Sequence, residues 1–404
     1  MQLYRRLPED LRRCLRPLNL VDECASFLPP RARARLGTAT EVLRRVGRLR
    51  GVRFAVRRLE GRVRGEGAPL ACLLATDDLS AAYWRRAFFA EPPAERTLGA
   101  VRALGVPAAA DRLARSADLS LWQAPWPLSV LQRRAVRVPS AVPLWLDTRR
   151  SLEQVIVGDP PGRASRKDDV RRARRLGLTV RVATDPAECE AFRRRLYVPY
   201  TRRRYGELFA EIPAHAFRHA WRSGWLLLLE RHERPVAGAL LERWDREVRI
   251  LAFGVDVEGG IAPEAALEAC YYHAIAFACF AGIPRLSLGA CRPVLTDGVL
   301  RYKKKWGAAI GRWTTWEAYL LRYRNTAPAR AALAAAPLVV ATRDGRLAGL
   351  AGATGATSAD ELARLATPGL AELACLAARD ARPARDGAVR WVPAPAVWPA
   401  EAAT

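Results

Sequence analysis

The stretch Leu286–Gly311, LSLGACRPVLTDGVLRYKKKWGAAIG, carries the most recognisable chemistry in this sequence. Its apolar alternation stops at Gly289, which predicts that a β-strand ends there and that the chain turns. Asp297 and Gly298 predict a second turn. A short helix is predicted next, because Gly307 is well placed to end it. The stretch therefore predicts a strand, a turn-rich loop and a short helix of cationic and aromatic residues.

The short helix contains three consecutive lysines, Lys303, Lys304 and Lys305, between Tyr302 and Trp306. Successive helical residues point in different directions, so at most two of the three ammonium groups can face one cavity. A lysine triplet is commonly a solvated charged face, and that interpretation applies here as well. The aromatic neighbours favour a functional role for part of the triplet.

The composition is that of a globular protein with a strongly basic surface. The chain has 404 residues, 50% hydrophobic and 26% charged, enough for two or three domains that each bury a core. Lys and Arg number 66 against 41 Asp and Glu, a formal charge of +25. Such a charge favours anionic partners, among them nucleic acid, phosphorylated metabolites and acidic lipid headgroups. A coding bias towards G and C explains the richness in arginine and alanine equally well.

The cysteines and the apolar segments predict a reduced, cytoplasmic protein. Eight cysteines occur, with no close CxxC pair and no histidine at zinc-finger spacing, at positions 14, 24, 72, 189, 270, 279, 291 and 375. The N-terminal residues lack the uninterrupted apolar region of a signal peptide. The most apolar window, Ala262–Ile283, contains Pro263, Glu264 and Glu268, and it predicts a buried helix rather than a membrane span. The arginine-rich N-terminal segment allows peripheral contact with the inner face of a membrane.

Residues 144–325 have the clearest order of predicted elements. A strand and basic helices come first, followed by an antiparallel meander over Trp225–Asp256. An apolar helix over Pro263–Ala281, a strand and the lysine helix follow. The region therefore predicts a mixed sheet flanked by helices.

The flanking regions are less regular. Residues 1–143 predict basic amphipathic helices up to about residue 50, then two strands over Gly51–Gly61 and Pro69–Asp78. A helix is predicted over Leu98–Ala117. Residues 326–404 form an extension rich in alanine, glycine and proline.

This order, together with particular motifs, resembles the C-terminal GNAT-like domain of the Fem-type and related (CelD-like) acyltransferases. The motifs are the helix DDVRRARRLGLTV, the helix end YTRRRYGE, the meander GWLLLLERHERPVAGALLE and the segment VLRYKKKWGA. The resemblance covers Leu144–Arg324. It implies an α/β (α+β) fold with a mixed GNAT-like sheet flanked by helices, in tandem with a weaker, degenerate GNAT-like domain over residues 1–143.

The resemblance implies transfer of an acetyl or aminoacyl group to an amine, often on a cell-envelope or polysaccharide precursor. The donor is an acyl-CoA thioester or an aminoacyl-tRNA, both co-substrates, so no tightly bound cofactor and no metal is expected. Acyl transfer passes through a tetrahedral oxyanion that a fixed cation stabilises.

Lys303 matches the lysine of the family's closing motif and is the candidate for the oxyanion role. A desolvated Lys303 acting as a base is the alternative. Tyr302, which precedes it, and Asp297, beyond the strand end, complete the catalytic candidates. Lys304 and Lys305 are expected at the surface.

The donor site departs from that of ordinary acetyltransferases. Their Arg/Gln-x-x-Gly-x-Gly/Ala loop, whose N–H groups hold a pyrophosphate, would fall at Asp256–Pro263, DVEGGIAP, which lacks the pattern. Gly259 and Gly260 in this loop, with Arg292 beside the strand end, are the cofactor-binding candidates. The strings RVRGEG from Arg62 and RLAGLA from Arg346 match the pattern at a rate expected by chance. The donor therefore remains open between acyl-CoA and charged tRNA.

The acceptor-binding candidates are Tyr200, Arg203, Arg204 and Tyr205, since guanidinium groups and phenols suit phosphate or carboxylate groups. An exposed basic helix end with core tyrosines is the structural alternative. Two other sites have weaker support. A metal site at His215 and His219 has the helical i, i+4 spacing but lacks the glutamate of the HExxH zinc motif. A nucleophilic role for Cys291 lacks a nearby histidine in the sequence to activate the thiol.

A function of a different class is a basic protein that binds nucleic acid without catalysis. Its support is the charge and the interleaved aromatic residues, yet no RNA-binding or zinc signature accompanies them. A scaffold at an anionic membrane is the third hypothesis.

Overall fold

The computed structural model describes residues 52–125, 129, 135–157, 163–206, 209, 211–244, 247–312, 317–342, 344–354, 358–377, 385–386 and 389–392. The basic helices predicted before residue 51 lie outside these ranges. The chain divides into two compact units. The middle unit is Pro143–Ala290 with Tyr302–Ala309, and the flanking unit contains the described residues up to Val142, Cys291–Arg301 and those from Ile310 onward.

In chain order, the strands and helices are β1 (Arg53–Arg62), β2 (Pro69–Thr76), α1 (Asp78–Phe88), β3 (Ala94–Arg102), α2 (Val106–Leu113), β4 (Leu119–Pro125), β5 (Val136–Pro139), β6 (Val142–Asp147), α3 (Leu152–Val157), α4 (Arg163–Arg175), β7 (Thr179–Val182), α5 (Pro186–Phe192), a π-helical segment (Arg193–Tyr197), α6 (Val198–Tyr205), α7 (Ala214–Ser223), β8 (Trp225–Arg231), β9 (Arg234–Trp244), β10 (Glu247–Val255), α8 (Pro263–Phe280), β11 (Arg285–Cys291), α9 (Gly298–Lys305), β12 (Ala309–Ile310), β13 (Glu317–Tyr323), α10 (Ala327–Ala335), β14 (Leu338–Ala341), β15 (Leu347–Gly352), α11 (Ala359–Leu365), β16 (Leu373–Leu376), β17 (Arg385–Asp386) and β18 (Val389–Val392).

The middle unit is built on a seven-stranded mixed sheet with the strand order β12-β6-β11-β10-β9-β8-β7. Strands β8, β9 and β10 form the predicted antiparallel meander. His232 and Glu233 turn between β8 and β9 with positive φ angles of 51° and 62°. Helix α8 then crosses over the sheet so that β11 runs parallel to β10, which is the predicted β-β-β-α-β order.

Helix α5, the π-helical segment and α7 cover one face of this sheet. Phe192 and Tyr197 pack with Phe217 in a core that also contains residues of β8, β9 and β10. Gly254 of β10 permits this approach, since a Cβ atom there would lie 2.7 Å from the Phe192 ring and 2.8 Å from the Tyr197 nitrogen. The close contact fixes where α6, with its arginines and tyrosines, begins.

The flanking unit contains an eleven-stranded sheet, ordered β17-β18-β16-β15-β14-β5-β13-β4-β2-β1-β3. Strand β13 pairs antiparallel with both β4 and β5, so a late segment of the chain completes the sheet of an early one. The compositional boundary at residue 325 therefore does not coincide with a boundary between the units. Strands β1 and β2 are antiparallel, and β4 runs parallel to β2.

The α/β class with mixed sheets flanked by helices is confirmed. The start of one predicted helix is wrong, since the first residues of the expected helix over Leu98–Ala117 belong to strand β3 (Ala94–Arg102), which pairs antiparallel with β1. Gly99 has a φ of 141°, which no helix allows, and the hydrogen bonds to β1 outweigh the local helical preference. Helix α2 begins only at Val106.

Candidate active site

The two parallel strands at the centre of the middle unit separate along their length. Strands β10 and β11 pair only from Glu247 to Arg249, and the last pair joins Arg249 to Ser287. Beyond this pair, β10 has a register irregularity after Ile250 on its other side and continues to Val255. Beyond Arg249 and Ser287 the two strands are no longer paired with each other, and unpaired strand backbone can receive an extended ligand.

Lys303 of α9 lies at this opening. Its side chain is only 4% exposed, and its Nζ donates a hydrogen bond of 3.0 Å to the Ala290 carbonyl oxygen at the end of β11. A Cβ atom added at Gly289 would lie 3.5 Å from Nζ and 3.6 Å from the Ile250 carbonyl oxygen of β10. A buried ammonium group therefore occupies the mouth of the gap between the two strands.

Lysine is rare in this chain, which strengthens the case that the lysines at 303–305 have a particular role. Among the 66 basic residues, four are lysines, namely Lys167 and the three residues of the triplet. An ammonium group is compact and a guanidinium group is a broad plane, so the two are not interchangeable in a confined place. Three of the four lysines thus lie together at 303–305, a concentration that the predictions from the sequence did not use.

The expected surface position of Lys305 is wrong. Its ammonium group forms an ion pair with Asp169 of α4, whose carboxylate is 0% exposed. Lys304 is half-buried. The pairing partner lies in a distant part of the sequence, so the lysine triplet alone could not reveal it.

Tyr302 lies against the aromatic residues of α8. Its ring centroid is 5.1 Å from that of Tyr271, and the Lys305 ammonium is 4.8 Å from the Tyr302 centroid. The phenol oxygen is buried and has no hydrogen-bond partner in the described part of the chain. Burial raises the pKa of Tyr302. Tyr302 is therefore a neutral phenol that can donate a hydrogen bond.

Three of the four acceptor-binding candidates come together around Tyr271. Arg204 donates a hydrogen bond to the Tyr200 hydroxyl, and its guanidinium lies 5.8 Å from the ring centroids of both Tyr200 and Tyr205. Burial raises the pKa of Tyr271, and the nearby phenols of Tyr302 and Tyr205 raise it further. Within the described ranges, no carboxylate forms an ion pair with Arg204. The Arg204 guanidinium thus lies beside the phenol rings of Tyr200 and Tyr205.

The fourth candidate, Arg203, points elsewhere. It is exposed, and its guanidinium donates to the Val257 carbonyl oxygen at 3.4 Å. Arg203 therefore lies beside the loop that connects β10 to α8.

This loop contains Gly259 and Gly260, and the carboxylate of Asp256 lies against its backbone. Asp256 Oδ1 accepts the Glu258 N–H at 3.1 Å, and Oδ2 lies 3.3 Å from the Arg234 guanidinium. A Cβ atom at Gly259 would lie 2.7 Å from Asp256 Oδ2, and Gly260 has a φ of 72°. The Asp256 carboxylate thus lies within the loop at which the resemblance would put a donor pyrophosphate.

Arg292 and Asp297 lie together in the flanking unit. Asp297 caps α9, because its Oδ1 accepts the Val299 N–H at 2.9 Å and the Leu300 N–H at 3.2 Å. Its Oδ2 is 3.4 Å from the Tyr83 hydroxyl, and the Arg292 guanidinium lies 5.0 Å from the Tyr83 ring centroid. Asp297 therefore caps α9. Both the Asp297 carboxylate and the Arg292 guanidinium lie beside Tyr83.

The remaining features concern metals, thiols and membranes. Within the residues described above, no cluster of three or more metal-binding side chains is present. The described cysteines are free thiols, and Cys291 is buried. The RVRGEG string lies between β1 and β2 and the RLAGLA string lies along β15, so neither joins a strand to a helix. Of the helices in the described ranges, none combines the length and apolarity needed to cross a membrane.

The central part of the chain matches a known protein family. Residues 162–304 match the family model described as an acetyltransferase (GNAT) domain. These residues include β7 to β11, the crossover helix α8 and Lys303. This part of the chain is therefore similar to a GNAT domain, and the resemblance predicted from the sequence is confirmed at this level.

Solved structures with similar chains include the following three. The L-PGS structure from Bacillus licheniformis is 13% identical, with 66% of this chain and 84% of that chain covered and a TM-score of 0.34. FemX is 12% identical, with coverages of 66% and 87% and a TM-score of 0.36. A GCN5-related N-acetyltransferase from Kribbella flavida is 14% identical, with coverages of 78% and 69% and a TM-score of 0.27. No curated protein sequence matches the chain significantly.

Proposed function

We propose that this protein transfers an acyl or aminoacyl group to an amine of an anionic cell-envelope or polysaccharide precursor. The observation that carries the proposal is the buried ammonium group of Lys303 at the gap between β10 and β11. A cation held in a poorly solvated place stabilises negative charge far better than one in water.

The reaction forms an amide bond and breaks the ester or thioester bond of the donor. The acceptor nitrogen attacks the donor carbonyl carbon, and the carbonyl oxygen becomes an oxyanion near Lys303. When this intermediate collapses, the leaving sulfur or oxygen gains the proton that the amine loses. Tyr302, a neutral phenol with an unpartnered hydroxyl in the described part of the chain, can donate a hydrogen bond to the leaving group.

The loop before α8 favours aminoacyl-tRNA over acyl-CoA as the donor. Asp256 already accepts the Glu258 N–H, so its negative charge lies where the diphosphate of CoA would need N–H donors. Arg203 beside this loop is exposed and suits the phosphates of a nucleic-acid backbone. The donor class thus differs from that of acetyltransferases with a pyrophosphate loop.

The cluster around Tyr271 supports an anionic acceptor. Arg204 lies beside the phenol rings of Tyr200 and Tyr205, and its guanidinium forms no ion pair with a carboxylate among the described residues. A phosphate or carboxylate on the acceptor would supply that partner through charge-assisted hydrogen bonds.

The test compares Lys303→Met with Lys304→Met, its helical neighbour, in an assay for loss of the acyl group from labelled aminoacyl-tRNA and acetyl-CoA. Each donor is mixed with a panel of amine-bearing envelope precursors. We expect Lys303→Met to lower turnover by about 10²–10³-fold, the effect of removing one oxyanion donor. Lys304→Met should stay within about threefold of wild type. Near-normal turnover in a folded Lys303→Met protein would overturn the assignment.

A further inference from the structure

We infer that Asp169 is a positioning residue that holds α9 so that Lys303 stays at the strand gap. The inference rests on the proposed role of Lys303, but its geometry stands on contacts that do not involve a substrate. Asp169 belongs to α4, and Lys305 follows Lys303 by two residues on α9.

The Asp169 carboxylate links three helices of the middle unit. It forms an ion pair with Lys305 of α9, and its other oxygen accepts a hydrogen bond of 2.5 Å from Arg172. Arg172 in turn forms a two-pronged pair with Glu268 of α8, with both distances 2.8 Å. The chain Glu268–Arg172–Asp169–Lys305 therefore ties α8, α4 and α9 together.

A second residue of α4 holds the backbone at the same point. Arg166 is 1% exposed and donates to the Lys305 carbonyl oxygen at 2.8 Å. It also donates to the Ile156 carbonyl oxygen near the end of α3 at 3.2 Å. The side chain and the carbonyl group of Lys305 are thus both anchored by α4.

This anchoring controls the rotation of α9 about its own axis. The helix has eight residues, a length at which an isolated helix is unstable, so tertiary contacts must fix its orientation. Residues two apart point in different directions, so Lys305 can face α4 while Lys303 faces the strands. A rotation of about 10° displaces an atom about 6 Å from the axis by about 1 Å.

A displacement of this size matters for catalysis. A misplacement of about 1 Å at a reacting centre can lower the rate by about 10²-fold. The Asp169 carboxylate pairs with Arg172 and Lys305, neither of which belongs to a strand of the gap, so its effect on Lys303 would pass through α9. Substrate affinity, which depends on other residues, should change little.

The chain offers a matched control beside the positioning residue. Asp168 is the preceding residue of α4, its carboxylate is 51% exposed, and it pairs with Arg171 at 3.2 Å. Asp169→Asn and Asp168→Asn therefore make the same chemical change on the same helix, in buried and exposed settings respectively.

The experiment has one readout that needs no substrate. Protein carrying lysine labelled with ¹³C at Cε gives four lysine side-chain resonances, assigned by single Lys→Arg variants. We expect Asp169→Asn to shift or broaden the Lys303 resonance and Asp168→Asn to leave it unchanged. In turnover assays, Asp169→Asn should lower kcat by about 10–10²-fold with KM within about twofold.

An unchanged Lys303 resonance together with unchanged kcat in folded Asp169→Asn protein would overturn the inference. If Asp169→Asn fails to fold, the same two measurements on Lys305→Gln decide the question. If Lys303→Met retains turnover, the proposed function fails, whereas the resonance still reports whether Asp169 places Lys303.

Discussion

Gly289 shows how one residue shapes the candidate site. Its φ of 79° lies in the left-handed region, which glycine adopts freely and other residues avoid. The conformation turns the end of β11 so that the Ala290 carbonyl oxygen meets Lys303 Nζ. The apolar alternation in the sequence predicted that a strand ends here. It could not predict that Lys303 would hydrogen-bond to the end of this strand.

Replacing Gly289 by alanine should destabilise the protein. The left-handed conformation costs about 1–2 kcal/mol for a residue with a Cβ atom, so the free energy of unfolding should fall by about that amount. The added Cβ itself has ordinary contacts, at 3.5 Å or more. Urea denaturation measures the change.

Gly298→Ala is the control, because Gly298 has open space around it and no positive φ. The free energy of unfolding of the Gly298→Ala variant should not fall below that of the wild type. Equal stability of the two variants would contradict the strain at Gly289.

At the scale of elements, helix α9 explains which site residues the sequence could identify. Turn signals and glycines predicted its start and end, and the structure has it at Gly298–Lys305. The sequence could not predict that Lys305 pairs with Asp169, because ion pairs between distant helices leave no local pattern. Strand β3 was missed for the same reason, since its pairing with β1 overrides a local helical preference.

The capping role of Asp297 gives a prediction that separates structure from catalysis. Serine caps helices about as well as aspartate, whereas alanine loses about 1 kcal/mol. Asp297→Ser should therefore keep both stability and turnover, and Asp297→Ala should lower the free energy of unfolding by about 0.5–2 kcal/mol. Thermal denaturation and the acyl-transfer assay measure the two effects. Strong loss of turnover in the stable serine variant would instead identify Asp297 as an acid or base.

At the scale of the whole molecule, the formal charge of +25 bears on both function classes. It attracts tRNA to an acyltransferase, and it equally attracts nucleic acid or anionic membranes to a protein without catalysis. Charge alone cannot separate them, which is why the sequence left three hypotheses open. The assignment of residues 162–304 to a GNAT domain favours the enzyme.

Salt dependence tests how the charge is used. If the protein contacts 6–10 phosphates of a tRNA, its affinity should fall by about 10³–10⁵-fold between 50 and 200 mM salt. Fluorescence anisotropy with labelled tRNA measures this slope. Lys303→Met should leave the slope unchanged, since a buried ammonium at the strand gap is no surface phosphate contact.

If acyl transfer falls in parallel with tRNA binding as the salt concentration rises, the result would support the acyltransferase hypothesis. Salt-sensitive binding without transfer at any ionic strength would favour the nucleic-acid-binding alternative. Flotation with anionic liposomes, again without transfer, would favour the membrane scaffold.

The position of β13 between β4 and β5 has a consequence for biosynthesis. A ribosome adds about 5–20 residues per second, so roughly 10–40 s pass between synthesis of β5 and of β13. During this interval, the nascent β4 and β5 lack the neighbour that they share in the finished sheet, while the strands and helices of the middle unit are synthesised one after another. The middle unit can therefore fold first, whereas the unpaired edges of β4 and β5 stay exposed to aggregation until β13 is made.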